Sequence, residues 1–153
     1  MIIQEVTNST EKQQITRRVL EALPEWFEIP ETREAYIQES ADYPLYAAYD
    51  GDQPVGFLGL KETGKDTVEL HVMGVLKEYH RKGVGRALVM KAKEAAARDG
   101  YSFFQVKTVQ MGKYDDYDKT NRFYLALGFK EFEVFPTLWD EWNPCQVYVM
   151  SLR

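Results

Sequence analysis

Two stretches of this sequence carry side chains at spacings that could support chemistry. In the first, Met73-Gly74-Val75 closes an apolar-rich run, and after a polar turn His80-Arg81-Lys82-Gly83-Val84-Gly85-Arg86 opens a periodic one. Glycines at the start of a helix let the backbone approach a ligand closely. The first amides of that helix point outward without intrahelical partners, at the positive end of its dipole. Such a site suits an anion, a pyrophosphate in particular, with Arg81, Lys82 and Arg86 adding charge at the rim. A helix start also carries glycine for packing alone, and the spacing by itself does not separate the two readings. Other phosphate motifs fit badly. No G-x-x-x-x-G-K-S/T string occurs, and the dinucleotide fingerprint wants glycine or alanine where Leu88 stands.

In the second stretch, Thr67 to Val75, strand alternation puts Glu69, His71 and Met73 on one face. An imidazole titrates near neutrality, so His71 can take a proton, directly or through water. A hydrogen-bonded structural histidine is the competing reading. Glu69 can do the same work or pair with a cation on a neighbouring strand. Cys145, the single cysteine, opens the apolar run Cys145-Gln146-Val147-Tyr148-Val149 and reads as a buried structural thiol rather than a nucleophile. No residue is assigned to a metal.

The elements that must hold these groups are legible along the chain. Met1–Val6 reads as an opening strand. Thr10 with Gln13 resembles a capping box for a helix whose Ile15, Val19 and Leu23 share a face, stopped by Pro24. Pro30 suits the first turn of a second helix running to about Ser40. Leu45–Tyr49 and Val55–Lys61 read as a hairpin around Asp50-Gly51-Asp52-Gln53-Pro54, and Thr67–Val75 as a third strand after the turn Thr63-Gly64-Lys65-Asp66. Val84, Leu88, Ala92, Ala95 and Ala96 form the apolar stripe of a helix ending at Gly100. Tyr101–Val109 is a strand, Asp118–Leu127 a helix closed by Gly128, and Phe129–Phe135 and Cys145–Met150 are the last strands. The order β-α-α-β-β-β-α-β-α-β-β predicts a single domain over residues 1–153. It is of the α/β class, with a mixed, largely antiparallel sheet, helices on both faces and local parallel pairing after the long helix.

His80-Arg81-Lys82-Gly83-Val84-Gly85 resembles the acyl-CoA pyrophosphate loop of the GNAT N-acetyltransferases, which runs Gln or Arg, two residues, Gly, one residue, Gly or Ala. Asn121-Arg122-Phe123-Tyr124-Leu125-Ala126-Leu127-Gly128-Phe129 is similar to that family's later helix, ending in F-Y-x-x-x-G-F. The two motifs stand in the family's order and spacing, and the resemblance covers nearly the whole chain. His80 departs from it where Gln or Arg is usual, though backbone amides carry most of the phosphate binding. The resemblance implies an acyl-CoA N-acyltransferase-like fold and an acetyl-CoA-dependent N-acetyltransferase acting on a primary amine of a small molecule or peptide. It implies that Met73, Gly74 and Val75 offer backbone groups to the pantetheine arm, and that Arg81, Lys82, Gly83, Val84, Gly85 and Arg86 surround the pyrophosphate. Tyr124 would sit near the CoA sulfur as general acid, since a phenol of pKa about 10 is protonated at neutral pH. Asn121, one turn earlier on the same face, would also reach the cofactor. Arylalkylamine acetyltransferases of the family carry histidines at the positions of Glu69 and His71. Trp26, Phe27 and Ile29 match the segment that covers the acceptor, and Trp139 and Trp142 could face it. Asp115, Asp116, Asp140 and Glu141 could attract a cation or serve as solvated loop charge.

Composition bounds what else the chain can be. With 153 residues, 44% hydrophobic and 28% charged, it is long and apolar enough to bury a core. A net charge of -5 with no basic block longer than Arg81-Lys82 argues against nucleic-acid and anionic-membrane partners. No apolar run approaches a membrane span and no disulfide can form within the chain, so the sequence reads as cytoplasmic. A homodimer is compatible with it. The competing functional class is a non-catalytic acyl-CoA-binding sensor or interaction module on the same fold, since sites and not folds decide function.

Overall fold

The computed structural model describes residues 1–153. Its elements are β1 (Ile2–Val6), α1 (Ser9–Glu21), α2 (Pro30–Glu39), β2 (Leu45–Asp50), β3 (Gln53–Gly64), β4 (Thr67–Val75), α3 (Val84–Arg98), β5 (Phe103–Val109), α4 (Asp115–Ala126), β6 (Lys130–Phe135) and β7 (Cys145–Ser151). Two 3-10 turns, Ser40–Asp42 and Lys77–Tyr79, lead out of α2 and β4. The seven strands form one mixed sheet in the order β1-β2-β3-β4-β5-β7-β6. The pairs β1–β2, β2–β3, β5–β7 and β6–β7 are antiparallel, and β4–β5 is parallel from Thr67↔Phe103 to Leu70↔Val106. The element order is the one expected from the sequence.

The chain divides into two compact units, Met1–Lys61 with His71–Ala95, and Glu62–Leu70 with Ala96–Arg153. In the first, α1 is capped by Asn8, whose Oδ1 accepts the amide of Glu11 at 2.9 Å. The Thr10–Gln13 box expected from the sequence is therefore not the cap: Asn8 supplies the side-chain acceptor two residues earlier. Val19 and Leu20 of α1 are fully buried, and Leu23 beyond it nearly so. They lie against β4 so closely that a Cβ on Gly74 would come within 2.8 Å of Val19 Cγ1 and 3.0 Å of Leu23 Cδ1. Pro30 sits in the first turn of α2, where its missing N–H costs nothing. The β2–β3 hairpin turns at Gly51, whose φ of 61° falls in the left-handed region that glycine tolerates. Residues Val84, Leu88 and Ala92 of α3 are buried as the apolar stripe requires, with Phe57, Leu58 and Leu45 of the sheet.

In the second unit, β7 is the buried centre of an antiparallel set, paired to β5 on one side and β6 on the other. Its fully buried Tyr148, with Phe104 of β5 and Phe129 after α4, makes the core, and the Phe104 and Phe129 rings meet at 5.4 Å. Gly100 (φ 93°) ends α3 and Gly128 (φ 100°) ends α4, both in the left-handed conformation of a helix C-terminus. Helix α4 begins at Asp115, three residues before the sequence suggested. Asp115, Asp116 and Asp118 thus occupy its first turn, where negative charge complements the helix dipole. The first two are helical residues and not loop charges.

Candidate active site

The glycine loop of the first unit is built around a left-handed turn. Arg81 has φ 62° and Gly83 φ 81°, on either side of Lys82. Only glycine takes that conformation without penalty, so Arg81 holds a strained backbone, which is concentrated at functional loops. A Cβ on Gly83 would meet nothing within 4 Å, so this glycine is demanded by conformation and by open space rather than by packing. Helix α3 follows at once. Its ladder is under way by the bond from Ala87 N to Gly83 O at 3.0 Å, and the amides of the turn before it are those a helix leaves without intrahelical acceptors. Arg81, Lys82 and Arg86 are all exposed around this turn. The positions thus fit an anionic group: oriented amides, open space and three cations. His80 has a different task. Its Nε2 lies 2.6 Å from the carbonyl oxygen of Val75, and its ring meets Trp26 edge-on at 5.9 Å. With the ion pair between Lys77 and Glu25, these contacts tie the end of β4 to the segment between α1 and α2.

On β4, Glu69, His71 and Met73 share a face, as alternation requires. His71 keeps 15% of its side chain exposed. Tyr36 of α2 and Tyr43 each meet its imidazole edge-on, with ring centroids 5.4 Å away. Tyr43 can lie there because position 59 of β3 is glycine: a Cβ would come within 2.3 Å of the Tyr43 ring. The row extends to Phe27, whose ring meets Tyr36 at 6.0 Å. At its other end the Glu39 carboxylate approaches His71 Nε2 at 3.4 Å. Burial, and then the charge of Glu39, push the Tyr43 phenol well above its ordinary range. This cluster joins α2 to β4 across more than thirty residues of sequence.

The second unit holds the other candidates. Glu69 is 7% exposed, and its Oε1 accepts both Gln105 Nε2 and Lys107 Nζ at 2.8 Å. The cation on a neighbouring strand that the sequence allowed is therefore Lys107. Asn121 is fully buried. Its Nδ2 donates to Val109 O (2.8 Å) and Tyr117 O (2.7 Å), and its Oδ1 accepts the Tyr148 hydroxyl at 2.5 Å. One amide hydrogen and the oxygen thus fasten α4 to β5 and β7, and the second hydrogen stays within α4, a structural task. Tyr124, 6% exposed, contacts the rings of Phe123, Phe129 and Tyr148. Burial pushes its phenol well above the ordinary tyrosine range, so it carries its proton at neutral pH.

The remaining residues considered from the sequence lie on the β6–β7 connection and on β7. Trp139 and Trp142 are 48% and 70% exposed on the β6–β7 connection. Asp140 organises that turn by accepting the amides of Trp142 and Asn143, and these bonds, the Asn143 side chain first, hold its carboxyl below the usual range. Cys145 is fully buried, and its thiol is pushed up to about 11, which makes it inert as a nucleophile. Two features escaped the sequence: the left-handed Arg81 and the approach of Glu39 to His71. No local signal marks either one. No helix is long and apolar enough to cross a membrane.

Comparison with known proteins follows the same lines. The family model for the acetyltransferase (GNAT) family matches residues 12–129. An uncharacterized N-acetyltransferase of Chlorobaculum tepidum is 29% identical over 115 residues, which are 73% of this chain and 66% of that protein. The matched region spans just under two thirds of that relative's length. Among solved structures, a GNAT-family protein from Desulfovibrio desulfuricans superposes with a TM-score of 0.86 at 18% identity, covering 99% of both chains. An aminoglycoside 6'-N-acetyltransferase complexed with coenzyme A gives a TM-score of 0.78 at 21% identity, over 100% of this chain and 98% of that one.

Proposed function

The chain belongs to the acetyltransferase (GNAT) family, and on that premise we propose that it transfers acetyl from acetyl-CoA to a primary amine of a small molecule or peptide. The observation that carries this reading is the left-handed turn at Arg81 and Gly83, opening directly into α3. Its amides and the Arg81, Lys82 and Arg86 cations suit the pyrophosphate, and the β4 backbone at Met73, Gly74 and Val75 suits the pantetheine arm. A fold neighbour complexed with coenzyme A supports the same cofactor. Acetyl-CoA supplies the activated thioester acyl group. The chain's own residues manage protons. His71 takes a proton from the amine nitrogen, because an ammonium has no lone pair with which to attack. It is favoured over Glu69, whose carboxylate oxygen already holds an ammonium and an amide. Tyr124 donates its phenolic proton to the departing sulfur; burial keeps the phenol protonated beforehand and opposes the phenolate that the transfer leaves. Asn121 serves this step by holding α4, which carries Tyr124, to β5 and β7.

A ligand bound by the native state alone raises the melting temperature by mass action. At a concentration about a hundredfold above Kd the gain is ~2.7 kcal/mol, or roughly 5–10 °C for a domain of this size. Acetyl-CoA is expected to produce that shift, and ATP or NAD, which lack a pantetheine arm, much less. An equal shift with ATP overturns the cofactor assignment.

A further inference from the structure

The geometry points to Glu39 as the residue that orients the His71 imidazole for proton transfer, an inference that rests on His71 being the base. Glu39 stands at the end of α2 with its side chain 57% exposed, and its Oε2 lies 3.4 Å from His71 Nε2. An ionised carboxylate has no hydrogen to give, so this contact requires the hydrogen to be on Nε2. In the neutral ring the basic lone pair then belongs to Nδ1. The Glu39 contact thus selects one tautomer and one ring orientation, as a carboxylate does for a metal-bound or catalytic histidine. A distance of 3.4 Å is long, as catalytic hydrogen bonds often are before substrate binds. Tyr36 and Tyr43 restrict the ring further, since both meet it edge-on. Glu69 projects from the same face of β4 two residues before His71, and its charge is offset by Lys107. Glu39 is therefore a positioning residue: it acts on the reaction through His71 alone.

The chain has two histidines, His71 and His80, so their imidazole ¹⁵N resonances can be assigned with one His80→Gln variant. In the full chain at a pH where the ring is neutral, His71 should show the hydrogen on Nε2 as its main form. Glu39→Ala should shift His71 toward a tautomer mixture and leave His80 unchanged. Turnover is then followed with acetyl-CoA and whichever of spermidine, phenethylamine or a lysyl peptide is acetylated fastest. Glu39→Ala should lower kcat roughly three- to thirtyfold with KM for acetyl-CoA unchanged, the range reflecting a solvent-screened partner. Glu39→Gln, which keeps a carbonyl acceptor, should recover part of the loss. In a His71→Gln background, Glu39→Ala should have no further effect. Unchanged His71 resonances in Glu39→Ala, or losses that multiply in the double variant, overturn the positioning role while leaving His71 as base. Wild-type kcat in a folded His71→Gln protein instead removes the base, and the role of Glu39 with it.

Discussion

At the scale of single residues, Tyr124 carries the sharpest claim. Tyr124→Phe keeps the ring that contacts Phe123, Phe129 and Tyr148 and removes the hydroxyl. If that hydroxyl protonates the leaving thiolate, kcat should fall by roughly 10²–10⁴ with little change in acetyl-CoA affinity. A packing tyrosine would leave kcat in place. The pH profile adds a sign. The acid works while protonated, and burial raises its pKa, so any activity loss from its ionisation should begin above the ordinary value of about 10. A wild-type limb near pH 8 therefore belongs to another group. Asn121 tests the support beneath it. Asn121→Ala removes the side-chain donor to Val109 O and leaves the Tyr148 hydroxyl without its acceptor in a buried site, so stability should drop by about 2–4 kcal/mol in a denaturant titration. The motif that drew attention to Asn121 could not reveal this, because the partners Val109 and Tyr148 lie on strands distant in sequence. Arg81 was hidden for a different reason: a left-handed arginine is sterically disfavoured, and no rule of composition places one.

At the scale of elements, the strand β4 and the helix α3 were legible because each carries its own period. Alternation placed Glu69, His71 and Met73 together, and the stripe Val84, Leu88, Ala92 is buried as expected. Ends were less legible. Asn8 competes with Thr10 for the cap of α1, and the acidic start of α4 looks like a polar loop until the dipole is considered. The meeting of α2 with β4 at His71 was not legible at all, since α2 buries only Ile37 and has no strong apolar face to aim it. Two glycines make these junctions testable. Gly59→Ala puts a Cβ within 2.3 Å of the Tyr43 ring, so that ring must move away from its place beside His71. The expected outcome is a stability loss of about 1–3 kcal/mol in thermal unfolding, together with reduced kcat. Gly83→Ala meets no neighbour but must hold φ at 81°, which costs about 1 kcal/mol. Gly83→Val should weaken acetyl-CoA binding, measured by titration calorimetry, by more than it weakens folding, because its branched side chain fills the approach to the amides. Equal binding by a folded Gly83→Val protein would remove this turn as the pyrophosphate site.

At the scale of the whole molecule, the element order, the mixed sheet and the family were legible because the two motifs and the element order agree with one another and with residues 12–129 of the family match; the placing of β7 between β5 and β6 was not. The division into two compact units was not, since it cuts through β4 and α3, which read as continuous in sequence. Stability against pH is a property at this scale. Burial raises the thiol of Cys145 to about 11 and lifts the phenols of Tyr43 and Tyr124 above their ordinary value. A group whose folded pKa is raised stabilises fully below its unfolded pKa and loses that contribution as pH climbs toward the folded value. The melting temperature should therefore hold near neutrality and decline from about pH 9 upward, with Cys145→Ala removing part of the slope between about 9 and 11. The central claim, however, is acetyl transfer, and one measurement bears on it most directly. The protein is incubated with acetyl-CoA and separately with spermidine, phenethylamine, an aminoglycoside and a lysyl peptide, while free CoA and acetylated amine are quantified together. The account predicts at least one amine that raises CoA release well above the rate without amine, with acetylated product formed in equal amount and both lost in Tyr124→Phe. Tight binding of acetyl-CoA with no product from any amine would contradict it and would make the chain an acyl-CoA-binding module.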